Sequence, residues 1–597
     1  MSEPQKEKGL RPELRILVAS LLSMFVIIAW AKFFAPKAPP PSPQTNNPAA
    51  SSPATAGQTA GQTAQPTTGN RAPSATSMAA AATPPVAAKS DTQERNIVVE
   101  NDLYRVEFSN RGGVVKSWQL KKYKDDAKPQ RVLDVVHPDA SQEMNAWPLS
   151  VSLSDPNLDE RANSGLFQAK VSGSEAPATL SAPADLEFSW SDGHLEITKH
   201  FKFTTSYVVQ TEVSAKLDGK PITAGLSWMG GFGDTTVQNP IPVETVSTFY
   251  SEGGKLNSFV HKKLEDQGKW GPALWQGGKD WAGIEDRYFT AVFLAPVGAP
   301  PGTIETRYWK YWHTIKVTDN QGKSEDKAEP VPQVAAVRAA QPTAMRIFVG
   351  PKDYDDLKKM NPPLQSLVNF GWLEIIADPL FHALKWLHNY IPNWGWAIVV
   401  LTVLANMLLF PLRISSYKST MKMQRVAPEI KAIQEKYKKY KINDPRKAEM
   451  NQEVMAVYKR EGINPAGGCF QMLVQMPIWI GLNRALGSAI EMRHAPWFGW
   501  IKDLSARDPY YILPVIMAGT MYLQTKITPM TTTDPQQQMM MKFMPLSFAA
   551  MFFIIPFSSG LAVYIMTGSL IGVAQQWYLN RAHPVTVPAK VKGGKKS

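Results

Sequence analysis

"QMPIWIGLNRALGSAI", residues 475–490, is a helix-length apolar stretch with an asparagine and an arginine, Asn483 and Arg484, set into its second half. Carried back to residue 468, the run has close to the roughly 20 apolar residues that about 30 Å of hydrocarbon requires. A central arginine costs roughly 2.5–3.5 kcal/mol on an insertion scale, and each Leu, Ile, Phe or Val returns about 0.3–0.6. The neighbours therefore offset the charge, and the segment still reads as a membrane span. Two readings of Arg484 stand: it faces a wet interior, or it snorkels to headgroups at the outer interface.

Four further apolar segments share this texture, at 394–412, 510–522, 544–557 and 560–578. The segment at 510–522, even extended to 527, and the one at 544–557 are short for a bilayer of ordinary thickness, which predicts local thinning or shielding by neighbouring helices. Between the first two spans, residues 413–461 hold 13 Lys and Arg against 6 Asp and Glu. The tail at 581–597 adds Arg581, Lys590, Lys592, Lys595 and Lys596. These two segments account for nearly all of the chain's net charge of +13, and short basic segments beside spans stay cytoplasmic.

Upstream, residues 1–35 carry four Lys and Arg ahead of an apolar run at 16–31, the pattern of a membrane anchor or of a cleavable signal. A retained anchor puts both termini in the cytoplasm and the intervening region outside; cleavage leaves a five-span core with an outside N-terminus. Residues 36–95 are almost all Pro, Ala, Ser, Thr, Gln, Gly and Asn, a linker composition that cannot bury a core. From 96 to about 355, alternating runs such as "LYRVEFS", "HLEITKHFKF" and "SYVVQTEVSAKL" broken by turn residues predict an all-β domain, sandwich or barrel-like. The single cysteine, Cys469, lies beyond it, so this domain has no disulfide of its own.

The basic segment reads as a helical hairpin. Pro428 suits a first-turn position, Ile430, Ile433, Tyr437 and Tyr440 form a seam, and Asp444 caps a second helix with Pro445 first, carrying Met450, Val454 and Val457. Its lysines, Lys436, Lys438 and Lys439, either only fix orientation or dock acidic partners. Met539, Met540 and Met541 are either interfacial packing or an adaptable surface for apolar clients. Within the spans, Thr402 and Asn406 share a face that Arg413 continues; Gln471, Gln475, Asn483 and Arg484 mark the second span, and Thr567, Ser569, Gln575 and Gln576 the last. Polar groups at membrane depth on three helices predict a shared wet cavity. At 100° per residue, however, Arg484 lies about 180° from Gln475 unless Pro477 kinks the helix.

No Asp or Glu falls within the five core spans, which weighs against a proton-coupled transporter. The nine histidines show no metal-ligand spacing, "GGFGD" at 230–234 lacks the Lys-Ser/Thr of a phosphate loop, and no nucleophile–base set is recognisable. Nothing here points to an enzyme, a cofactor or a metal.

The stretches "NWGWAIVVLTVLANMLLFPL", "INPAGGCFQMLVQMPIWIGL", "DLSARDPYYILPVIM", "MTTTDPQQQMMMKFMP" and "SSGLAVYIMTGSLIGVAQQW" together resemble the membrane protein insertases of the YidC/Oxa/Albino family, in the Gram-negative form. "VENDLYRVEFSNRGGVVKSWQL" and "DWAGIEDRYFTAVF" extend the likeness to the β domain. The resemblance implies a multi-domain protein of the bacterial inner membrane: an uncleaved N-terminal transmembrane anchor, an all-β supersandwich periplasmic domain, an amphipathic helix within 364–391, and an α-helical five-span core over 360–580 with a cytoplasmic helical hairpin. It implies a hydrophilic groove open to cytoplasm and lipid, whose arginine attracts the polar part of a substrate while its apolar helix slides into the bilayer, with no nucleotide consumed. Newly made membrane proteins, the Sec translocon and the lipid bilayer are the implied partners.

The chain departs from that pattern where the groove arginine usually stands, five residues before the proline of "FPL": here the residue is Asn406. Two positions that commonly hold tyrosines are Asn483 and Arg484. The expectation is that the charge has moved to Arg484, with Asn406 as its neutral partner and Thr402, Gln475, Ser569 and Gln575 completing the groove. The tail lysines Lys590, Lys592, Lys595 and Lys596 are either topogenic or contact ribosomal RNA. A transporter or channel with a periplasmic sensing or glycan-binding domain is the alternative.

Overall fold

The computed structural model describes residues 87–237, 246–318, 324–368, 370–440, 444–463, 467–528, 539, 543, 547, 551, 553 and 557–582, which belong to one unit, Pro85–Ser597. The expected anchor, most of the linker, most of the segment at 544–557, Met540, Met541 and the four tail lysines lie outside the described residues.

Alternating hydropathy becomes strands in the β region. Leu195–Phe203 and Val208–Leu217 pair antiparallel from Leu195↔Leu217 to Lys202↔Gln210, burying Leu195, Ile197 and Phe201 on one face. They sit in an eleven-stranded sheet, and the region holds two five-stranded sheets besides. Side chains from all three sheets, among them Val99, Phe108, Phe201, Leu226 and Val334, close one apolar core. Phe108 meets Phe188, Phe201 and Phe203 at ring-centroid distances of 5.2–5.9 Å, the spacing of favourable aromatic pairs.

Lys199 breaks the alternation, because it occupies an inward position and is fully buried. Its ammonium donates to the carbonyls of Gly112 (2.7 Å), Gly113 (3.1 Å) and Leu149 (2.8 Å). Those three residues have positive φ, so the turn backbone aims its oxygens inward. Burial pushes the Lys199 amine well below its ordinary pKa. Lys199→Met keeps the volume and orphans three carbonyls, so it is expected to cost on the order of 3 kcal/mol. A lowered denaturant midpoint of the β-region tryptophan signal measures this; an unchanged midpoint contradicts it.

The half-buried His137 lies beside Gly233, whose carbonyl accepts from its Nε2–H at 3.1 Å. Burial lowers its pKa from 6.5 to about 4. The unfolded chain therefore takes up a proton near pH 6.5 that the folded chain refuses until about pH 4. Stability from this group is full above that window and falls as pH drops through it. Unfolding midpoints across the window are expected to fall more steeply for wild type than for His137→Asn; parallel curves contradict this.

The C-terminal region is helical: α1 (Glu374–Tyr390), α2 (Trp394–Leu408), α3 (Phe410–Lys436), α4 (Arg446–Arg460), α5 (Gly467–Ser488), α6 (Ile512–Ile527) and α7 (Ser559–Ala582). Ahead of α1, two short 3₁₀ turns replace the early part of the expected amphipathic helix, broken where Gly371 takes φ +74°. The helix that remains is two-faced: Ala377, Phe381, Leu384 and Leu387 are buried, while Ile375, Trp386 and Tyr390 are exposed. Asn393 caps α2 by accepting from the Trp396 amide at 3.1 Å. Among the described residues no single helix is long and apolar enough to cross a membrane; α2 and α3 together are, by length and composition, across a bend of 53°.

Helix α3 runs unbroken through Pro428, so that residue does not open a new helix as expected. Nor does Pro445 stand first in α4, which begins at Arg446; Asp444 still accepts from the Arg446 amide at 3.0 Å. The hairpin seam forms around Val426, Ile430, Val457 and Ile463, with Ile433 and Val454 packed against it. Tyr437 leaves the apolar seam to donate to Glu453 at 2.8 Å.

The segment after α5 docks the two regions together. Ile490 enters the apolar core of the β region. Arg493 reaches Asp234 (2.6 Å), Asp126 (3.3 Å) and the Lys124 carbonyl (2.5 Å). From the other side, Arg287 donates to the Gly487 carbonyl at 2.8 Å, and Lys385 of α1 pairs with both Asp355 (2.6 Å) and Glu491 (3.0 Å).

Candidate functional site

At the α2–α3 bend lies a small polar cavity of about 10 Å³, room for about one water, lined by Asn406, Leu409, Leu412, Arg413, Val474, Gln475 and Gln575. Four helices supply it. On α2, Thr402 donates to the Ile398 carbonyl (2.6 Å) and Asn406 to the Thr402 carbonyl (2.8 Å), so both polar side chains fold back on their own helix. Thr402 is fully buried, and a Cβ on Gly568 would lie 3.9 Å from its methyl group.

The cavity's charge comes from Arg413, two helical turns beyond Asn406. It donates to the Gln575 side-chain oxygen at 2.7 Å and to the Gly572 carbonyl at 3.2 Å. Gly572 matters because a Cβ there would sit 3.3 Å from that guanidinium and 3.1 Å from Gln524. Gln575 is itself fixed by donating to the Asn406 carbonyl at 3.4 Å, and Gln475 approaches the Tyr564 hydroxyl at 3.5 Å. Both of Arg413's described partners are neutral, so its positive charge is oriented and not cancelled.

The structure brings Asn406, Gln475 and Gln575 together and does not bring Arg484 to them. Arg484 is exposed, and its Nε lies 3.8 Å from where a Cβ on Gly371 would stand, beside the start of α1. The reason is helical phase: nine residues at 100° put it half a turn from Gln475, and Pro477 sits inside α5 without cancelling that offset. Asn483, next to it, is half-buried, and Ser569 is half-buried outside the cavity lining. On the hairpin, Lys436 pairs with Glu453 at 2.8 Å, Lys438 is exposed, and Lys439 lies 5.3 Å over the Tyr440 ring. Met539 is half-buried in a helical position. Arg413 is the site residue that sequence reasoning placed on the right face without giving it the charge's role.

These features define a helical core of membrane-like composition, with a charged polar cavity and an appended β domain. Comparison with known proteins places it further. Residues 96–383 match the YidC periplasmic domain family and residues 386–586 the 60Kd inner membrane protein family. A membrane protein insertase YidC of Syntrophus aciditrophicus is 33% identical over 580 residues, covering 95% of this chain and 99% of that protein. One of Cupriavidus necator is 33% identical over 549 residues, covering 90% and 92%. An active YidC insertase crystal structure with its first transmembrane domain resolved aligns over 83% of this chain and 95% of its own, at 18% identity and a TM-score of 0.34. The chain belongs to the YidC family.

Proposed function

We propose that this chain is a membrane protein insertase of the inner membrane, with its β domain in the periplasm and the Arg413 cavity as the place where a substrate's polar part first leaves the cytoplasm. The carrying observation is a guanidinium held, among the described residues, by neutral partners at the α2–α3 bend, on the side of the basic hairpin. Two unit charges 4 Å apart at an effective dielectric near 20 attract by about 4 kcal/mol, which offsets much of the cost of taking an acidic tail out of water. Partition of the following apolar helix into lipid then supplies the drive, at about 0.3–0.6 kcal/mol for each large apolar residue, without nucleotide. An N-terminal anchor and five core spans give the basic hairpin and tail a cytoplasmic location. Asn406, Thr402, Gln475, Ser569 and Gln575 extend the polar path, and the methionines Met539, Met540 and Met541, the last two outside the described residues, are the adaptable apolar contacts for substrate. Arg484 and Asn483 sit at the outer end of α5, where Arg484 meets headgroups. The Sec translocon and the ribosome are partners in this reading, the latter through Lys436, Lys438, Lys439 and the lysines of the tail.

Reconstitution in liposomes tests the reading. Purified protein is expected to render a short single-span substrate protease-protected, above the level of empty liposomes. No gain in protection, accompanied by solute flux, would replace the insertase with a transporter.

A further inference from the structure

His494 stands where the β and helical regions meet, between two carboxylates from different segments. Its Nε2 is 2.7 Å from Asp126 Oδ1 and 4.0 Å from Asp503 Oδ2. The ligand-type atoms of Asp126, His494 and Asp503 all lie within 4.8 Å of one another. The Gln130 side-chain nitrogen, Nε2, lies 3.4 Å from the same ring nitrogen and lines the cluster without offering it a ligand. Asp126 and Gln130 belong to the β-region turn after the strand Val114–Lys124; His494 and Asp503 belong to the segment between α5 and α6.

We propose that Asp126, His494 and Asp503, with water as the fourth ligand, bind one divalent transition-metal ion of the zinc class, which clips the β domain to the helical core. An imidazole with two carboxylates is a donor set that suits zinc. Ligands at about 2.0–2.2 Å from such an ion stand roughly 3–3.6 Å apart, so shifts of under about an ångström complete the shell.

The surroundings hold the donors ready. Asp503 uses its other oxygen, Oδ1, to accept from the Ser505 amide and hydroxyl, both at 2.7 Å, and from the Ala506 amide at 3.3 Å. The turn that carries Asp126 is pinned by its own amide, which donates to Thr236 (2.8 Å) and Asp234 (3.2 Å). Side-chain exposures of 34%, 23% and 20% for Asp126, His494 and Asp503 leave a route for an ion from solvent. Charge favours a cation despite Arg493, 3.3 Å from Asp126, because that guanidinium is answered more closely by Asp234 at 2.6 Å. Two carboxylates then face one imidazole, and among the described residues Asp503 has no Lys or Arg partner while Asp126 shares Arg493 with Asp234. Arg493 and His494 share Asp126 Oδ1, so Asp126 would turn its second oxygen, Oδ2, toward the metal and leave Oδ1 to Arg493. With donors from both regions, binding stabilises the docked arrangement by mass action.

Calorimetric titration of chelator-stripped full-length protein with Zn²⁺ in detergent tests this, alongside Asp503→Asn and His494→Gln. Asp503→Asn retains an oxygen to hold the Ser505 turn, so it reports the site even if His494→Gln fails to fold. Wild type is expected to bind one equivalent saturably and to gain thermal stability on binding. Asp503→Asn should weaken that binding about tenfold or more and lose the stability gain. No saturable binding by wild type, or binding and stabilisation unchanged in Asp503→Asn, overturns the proposal.

Discussion

Arg413→Gln is expected to reduce insertion of a substrate with an acidic translocated tail about tenfold or more, while Arg413→Lys keeps much of it and Arg484→Ala nearly all. Tenfold corresponds to about 1.4 kcal/mol, well inside the roughly 4 kcal/mol available to an unscreened pair at this depth. Glutamine can still reach Gln575 or the Gly572 carbonyl, so packing is largely retained and the charge alone is removed. Lysine restores the charge and gives up the fork that now holds two acceptors at 2.7 and 3.2 Å. Arg484 is half a helical turn away and exposed, so its removal leaves the cavity untouched. Initial rates of protease-protected insertion, for acidic and neutral tails, measure this. Equal losses for both tails would turn Arg413 into a packing residue.

The second large effect is expected at the junction. In Arg493→Ala, Asp234 loses its partner while only 5% of its side chain is exposed, and the Lys124 carbonyl loses a donor. Removing one member of a buried ion pair typically costs about 3–5 kcal/mol, because the survivor is left charged and unpaired. The thermal midpoint should fall, and amide exchange at 487–495 should accelerate. Arg493→Lys should recover part of this, since a point charge can still meet Asp234. Unchanged exchange in Arg493→Ala would mean that Ile490 and the Lys385 pairs hold the regions together without it.

Much of this architecture was legible before any coordinates. Alternation of Leu195, Ile197, Phe201 and Phe203 with polar residues marks a strand whichever partner it takes. Its break at Lys199 was not interpretable, because the three carbonyls that satisfy the ammonium come from turns 50 to 87 residues away. Strand order was equally hidden: Thr343–Pro351 lies between Val208–Leu217 and Phe289–Leu294, a pairing that no local pattern encodes. The helix carried through Pro428 shows tertiary packing outweighing a local breaker, since Val426 and Ile430 on either side of it are buried in one seam.

The site shows the same division. Helical phase alone groups Asn406 with Arg413 and separates Arg484 from Gln475, and the structure follows that phase. The family pattern put the expected charge at Arg484, which the structure leaves exposed and outside the cavity that Arg413 lines. The junction was invisible for another reason: Asp126 and His494 are 368 residues apart, so their spacing carries no signal.

Photocrosslinking to a stalled single-span substrate is the most direct test of passage through the cavity. With the crosslinker at position 406, a strong substrate adduct is expected, and with it at 484, little or none. An adduct at 484 with none at 406 would contradict entry beside Arg413.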